Sequence, residues 1–153
     1  DTPYHVEETM IGPIVLQVRR EENPCSLCAN MRRGALHSAA RRLGCNKVAL
    51  AHHLDDAVET LLMNVFFSGR VTSFFPVTYL SRRDVTVIRP LVYCSETLVR
   101  SAVERLGLPV IRSECPIASR TSRERMKGLV NAVRQENPRI DESILSAMRM
   151  IWR

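Results

Sequence analysis

The chain has 153 residues, 45% hydrophobic and 25% charged, which is the make-up of a globular protein able to bury a core and excludes a disordered or fibrous one. Lys and Arg number 22 against 16 Asp and Glu, for a net charge of +6, and only Lys47 and Lys127 are lysines, so a polyanionic partner suited to guanidinium forks is expected. No apolar run approaches the roughly 18 residues of a spanning helix, and five cysteines irregularly spaced beyond one C-x-x-C exclude a secreted disulfide framework, so a soluble cytoplasmic protein without a membrane partner is expected.

From the N-terminus, Asp1 to Arg20 carries charges where a signal peptide would be apolar. Tyr4 to Glu8 reads as a short strand. Ile14 to Arg19 fits a strand or a short helix equally, because so short a run has no decisive period. Pro24 then suits a helix start, where its missing N–H costs nothing. The thiols of Cys25 and Cys28, three apart, fall on one face of that helix. The N-terminal dipole and the nearby Arg32 and Arg33 favour thiolate, the form that attacks or ligates. By itself the pair fits a redox dithiol, a zinc pair or an iron–sulfur pair. Leu27, Met31, Ala35, Ala39 and Leu43 continue the helix as an apolar stripe, and Gly44 stops it.

Lys47 to Ala51 reads as a strand buried in a parallel sheet, and it ends in His52-His53-Leu54-Asp55-Asp56. A second helix is predicted from Ala57 to Phe67, which puts the polar cluster at the carboxyl edge of the sheet, where open α/β folds bind ligands. Those side chains suit metal binding or general-base work. They equally suit a cap, with Asp55 or Asp56 accepting N–H bonds at the helix start and a histidine packed nearby. Glu59 and Thr60 extend the polar face by one turn.

Ser68 to Arg83 reads as a loop with one or two extended pieces, Val85 to Arg89 as a strand, and Ser95 to Leu106 as a helix closed by Gly107. Pro109 to Arg112 is a further strand candidate. It leads to Cys115, which then lies on the same sheet edge as the histidines; Cys45 and Cys94 read as packing residues. Two basic helices, Thr121 to Gln135 and Asp141 to Ile151, are separated by Asn137-Pro138. The alternation predicts an α/β fold, an open parallel sheet with helices on both faces across residues 1–118, and a basic helical appendage over 119–153.

Three segments carry a family resemblance: Pro24-Cys25-Ser26-Leu27-Cys28 with Met31-Arg32-Arg33-Gly34, Ala51 to Leu61 (Ala-His-His-Leu-Asp-Asp-Ala-Val-Glu-Thr-Leu), and Ile88 to Cys94 (Ile-Arg-Pro-Leu-Val-Tyr-Cys). In order and spacing they resemble the tRNA 2-thiocytidine synthetase branch of the PP-loop ATP pyrophosphatases, over Tyr4 to Cys115. The resemblance implies an adenine nucleotide alpha hydrolase-like fold. It also implies a reaction in which ATP with Mg adenylates a pyrimidine, a cytidine of the anticodon loop, and sulfur then replaces the base oxygen. By position, Cys25, Cys28 and Cys115 correspond to ligands of a [4Fe–4S] cluster, with zinc as the alternative. Asp55, Asp56 and His53 correspond to catalytic residues, and His52, His53 and Asp56 to nucleotide contacts. The implied partners are tRNA and a sulfur donor, either sulfide or a cysteine desulfurase, with a homodimer left open.

The chain departs from the family in two places. Where the family commonly has a second C-x-x-C, this chain has only Cys115, in Glu-Cys-Pro-Ile-Ala. The Ser-Gly-Gly-x-Asp-Ser phosphate loop is absent, and no Gly-Gly pair occurs, so the expectation is a chain that starts after that segment and alone binds ATP poorly. Arg120, Arg123, Arg125, Lys127, Arg134, Arg139, Arg149 and Arg153 are the expected phosphate contacts for tRNA. Two other readings stand beside this one: a related PP-loop protein with structural zinc and another substrate, and a non-catalytic nucleotide-binding scaffold.

Overall fold

The structure, a computed structural model, describes residues 3–20, 24–111, 115–116 and 121–153. Two compact units divide the chain: Asp1–Val48 with Thr78–Val87, and Ala49–Val77 with Ile88–Arg153.

In the first unit Tyr4 to Glu8 forms no strand. Its one aliphatic residue, Val6, is exposed, so the segment has no apolar face to bury; Glu7 is held instead by Arg42, whose Nη2 donates to Glu7 Oε2 at 2.5 Å. The ambiguous run that follows is helical. Helix α1 (Ile11–Pro13) passes into a π-helical stretch, Ile14–Arg19, and the two bury Ile11 and Val15, four apart on one face. Helix α2 (Pro24–Arg42) buries His37, Ala39 and Ala40. Gly44, at φ 72°, ends it in a Schellman turn, with the Cys45 N–H donating to Ala40 O at 2.8 Å and the Gly44 N–H to Arg41 O at 3.1 Å.

Strands β1 (Lys47–Ala49), β2 (Val77–Leu80) and β3 (Val85–Ile88) form one sheet in the order β1-β3-β2. Bonds from Thr86 N–H to Asn46 O and from Leu50 N–H to Ile88 O, both 2.9 Å, advance together along the two strands, so β1 and β3 are parallel. Strand β2 departs from the parallel expectation: it joins β3 through a tight turn and pairs antiparallel, the Arg89 N–H reaching Pro76 O at 2.9 Å. Val48, Val85 and Val87 are buried, whereas Val77 and Tyr79 of β2 are exposed, as suits an edge strand.

The second unit is built on helices. Helix α3 (Leu54–Ser68) packs against α5 (Ser122–Glu136) and α6 (Ile140–Ile151), with Leu54, Ala57, Val58, Val92, Val130 and Met148 at the centre. The Trp152 indole donates to Phe74 O at 2.8 Å and meets the Tyr93 ring edge-on at 5.4 Å, fastening the C-terminal turn. The two basic C-terminal helices, α5 and α6, contribute Val130 and Met148 to this core. Helix α4 (Glu96–Arg105) begins at Ser95, whose Oγ accepts the Leu98 N–H, and ends before Gly107 at φ 60°. Beyond it, residues 109–111 form no strand: Pro109 offers no N–H, and Val110 and Ile111 lie exposed. Arg112 lies outside the described residues. Among the described residues no helix is long and apolar enough to cross a membrane.

Candidate functional site

Helix α3 starts at Leu54, three residues before the predicted Ala57, so Asp55 and Asp56 belong to its first turn, where the helix dipole favours carboxylates. His53 is the N-cap. Its Nδ1 accepts the Asp56 N–H at 3.3 Å while Asp56 Oδ2 accepts the His53 N–H at 3.0 Å, a reciprocal box that satisfies two otherwise orphaned donors. With Nδ1 accepting, a neutral ring carries its proton on Nε2, 3.4 Å from Asp56 Oδ2.

Asp55 is buried and bonded at both oxygens. Oδ2 accepts the Glu96 N–H at 2.6 Å, capping α4, and Oδ1 receives the guanidinium of Arg134, which also holds Asp141 at 2.8 Å. Arg123 serves the neighbouring groups: Nη1 donates to Asp56 Oδ1 at 2.8 Å and Glu59 Oε2 at 3.1 Å, and Nη2 to Thr60 Oγ1 at 3.3 Å. Burial raises the Glu59 carboxyl to about 7 even with Arg123 beside it. Glu96 goes the other way. Burial alone would raise it, but hydrogen bonds from Lys127 and Arg100 bring it down to about 2.

Three of the cations expected to serve as phosphate contacts also make ion pairs: Arg123, Lys127 and Arg134, each half-buried, meet the acids of α3, α4 and α6. The reason is helical phase. Arg123, Met126, Lys127, Val130 and Arg134 recur at offsets of three, four, seven and eleven, and Met126 and Val130 are the buried residues of α5. Arg125, Arg139, Arg149 and Arg153 are exposed, and Arg120 lies outside the described residues.

His52 packs its ring against Phe74, centroids 4.9 Å apart, and Arg89 lies 4.7 Å from the same ring's centroid. Burial depresses the His52 pKa, and its Nδ1 is buried with no hydrogen-bond partner. None of the five cysteines forms a disulfide; Cys25 and Cys115 are exposed and Cys28 is half-buried. Cys25 and Cys28 sit in the first turn of α2, in the first unit, and Cys115 belongs to the second. Among the described residues no three His, Cys, Asp or Glu side chains gather into a group able to hold a metal.

Residues 15–133 match the model of the PP-loop domain. The chain belongs to that family. This PP-loop chain is 43% identical over 149 residues to the tRNA-cytidine(32) 2-sulfurtransferase of Pelobacter propionicus, covering 95% of this chain and 55% of that protein. It is 40% identical over 148 residues to the enzyme of the same name from Geobacter sulfurreducens, covering 95% and 58%. Among solved structures it resembles the U34-tRNA thiolase NcsA from Methanococcus maripaludis with its [4Fe-4S] cluster, at TM-score 0.69 and 25% identity over 88% of this chain and 46% of that one. The PP-loop chain therefore spans little more than half the length of the curated relatives it matches.

Proposed function

We propose that this PP-loop chain is the cysteine- and histidine-bearing part of an ATP-dependent tRNA sulfurtransferase acting on a pyrimidine, cytidine in the leading reading. The observation that carries this reading is the match to tRNA-cytidine(32) 2-sulfurtransferases across 95% of the chain. Chemically, the base oxygen attacks the α-phosphorus of ATP and pyrophosphate leaves. Sulfide then adds at the ring carbon, and AMP departs with the former base oxygen.

Cysteine thiolates are the donors a [4Fe–4S] cluster takes, and Cys25 and Cys28, free and accessible in the first turn of α2, fit one side of it. In this reading Cys115 supplies the third thiolate. A bound cluster offers an iron without a protein ligand, a place for sulfide. The orphaned Nδ1 of His52 is the group best suited to meet a nucleotide or base, and Phe74 holds its ring in place. Asp55, Asp56 and Glu59 each already carry an arginine, and Asp55 and Asp56 also accept a backbone N–H. They fit magnesium poorly, and we assign no step to it. Their role in this reading is positioning: Asp56 boxes His53 at the head of α3, and Asp55 and Glu59 tie that helix to α4 and α5. ATP and tRNA are the substrates, sulfide or a desulfurase the sulfur source, and the cytoplasm the place.

The test is complementation of a strain lacking 2-thiocytidine with the gene product carrying these residues, read by mass spectrometry of tRNA nucleosides. Gain of 2-thiocytidine is expected, and none would refute the reading. A colourless, zinc-loaded protein after anaerobic purification would favour the structural-zinc alternative.

A further inference from the structure

Within the first unit, the C-terminal half of α2 and the turn between β2 and β3 border an open cavity of about 390 Å³ lined by His37, Ser38, Arg41, Arg82, Arg83 and Asp84. Three of the six are arginines, and one acid opposes them. That acid is committed: Asp84 Oδ2 receives Arg41 Nη1 at 2.9 Å and Oδ1 receives the Tyr79 hydroxyl at 2.9 Å. Asp84 also sits at φ 47°, a left-handed position that Asp tolerates, so the turn is held from two sides. The Arg83 N–H closes it on Leu80 O at 2.9 Å, and Arg82 and Arg83 stand exposed at its tip.

The second observation is independent of charge. His37 is 8% exposed, and its Nε2 is buried with no hydrogen-bond partner. A buried ring nitrogen left unpaired is unfavourable, and because His37 lines the cavity, a small shift of its ring toward an occupant would supply the missing acceptor. Burial and the fields of Arg33 and Arg83 hold the imidazole below its ordinary pKa, so at neutral pH it is an uncharged ring able to donate one N–H. One N–H donor beneath a rim of guanidinium forks is the recognition set of a phosphate oxyanion.

We propose that this cavity is a phosphate site in which His37 Nε2–H, Arg82 and Arg83 hold a backbone phosphodiester of RNA. It rests on the tRNA reading for the source of the phosphate and adds a docking point on the first unit that uses none of the cysteines or the α3 cluster. The same chemistry would accept free phosphate, so the experiment separates the two sources.

The test measures binding of an unmodified tRNA transcript to the full chain by fluorescence anisotropy across a salt series, alongside imidazole NMR of His37 during titration with inorganic phosphate. Arg82→Gln/Arg83→Gln, at an exposed turn, is expected to weaken tRNA binding about tenfold or more and to lower the log–log salt slope by about one to two. Arg70→Gln, an exposed arginine that no reading assigns to RNA, is the control for general charge. Saturable tRNA-induced change at the His37 ring, lost in the double variant, supports the site. Unchanged affinity and slope in the double variant, with wild-type chain still binding tRNA, overturns the site and leaves the thiolase reading intact. Uptake of inorganic phosphate at His37 with no tRNA binding overturns the RNA source and counts against the thiolase reading as well.

Discussion

Asp55→Asn separates a structural from a purely chemical role for the first turn of α3. The side chain is 6% exposed and holds both the Glu96 N–H and the Arg134 guanidinium. The amide keeps the volume but has one acceptor instead of two, so its NH₂ must face either a backbone donor or a guanidinium. Losing one charge-assisted bond costs roughly 1.5–3 kcal/mol, and leaving Arg134 under-compensated in a partly buried place adds to that, although Asp141 still holds it. We expect about 3 kcal/mol in all. At a urea m-value of about 2 kcal/mol/M the unfolding midpoint should fall by about 1.5 M, read by far-UV circular dichroism with m unchanged. Arg134→Met added to Asp55→Asn should recover part of the loss, because a buried pair removed together costs less than one partner removed alone. A midpoint within about 0.2 M of wild type would refute the ion-pair account and return Asp55 to a role in chemistry alone.

Glu59 makes stability depend on pH. Its folded pKa, about 7, lies above the ordinary 4.5, so the stability it contributes is full below about 4.5 and is lost as pH rises through 7, by up to about 3 kcal/mol. Glu59→Gln should flatten that window when urea midpoints are compared at about pH 5 and about pH 8. Glu96 works in the opposite sense: lowered to about 2, it contributes above 4.5 and its share is lost as pH falls through 2, so Glu96→Gln should reduce acid sensitivity in the same titration. Met148, wholly buried among α3, α5 and α6, should cost about 3 kcal/mol as Met148→Ala and less than about 1.5 as Met148→Leu by urea unfolding; equal costs would deny the packing account. Cys25→Ala, at an exposed site, should leave the unfolding free energy within about 0.5 kcal/mol of wild type while iron content and visible absorbance of anaerobically purified protein disappear. Unfolding instead would make the thiol structural.

The elements legible in the sequence are those with local causes. Pro24 and Gly44 bracket α2 to within a residue or two, because a missing N–H and a left-handed φ act on their immediate neighbours. Ser95 and Gly107 do the same for α4. The α/β class followed from the same signals, and the thiol pair in the first turn of α2 needed only its spacing. Two predicted strands failed where partners had to be found elsewhere in the chain: Tyr4 to Glu8 and the stretch from Pro109 carry exposed aliphatic residues and nothing to pair with.

The head of α3 shows where local reading stops. Both a cap and a catalytic cluster were written in His52 to Asp56, and the choice of partners fell to residues far along the chain: Arg123 meets Asp56 across 67 positions and Arg134 meets Asp55 across 79. In the sequence those arginines are indistinguishable from the exposed Arg125 and Arg149. Only the burial of Met126 and Val130 along one face of α5 sets the phase that brings Arg123 and Arg134 to the acids of α3. The orphaned Nε2 of His37 was equally hidden, since burial is a property of the neighbours that tertiary contact supplies. The sequence by itself determined the longer helices, the ends of α2 and α4, and the chemistry available. Which charges meet and which nitrogen is left unpaired was decided by the tertiary structure, because pairing and desolvation depend on distance in space.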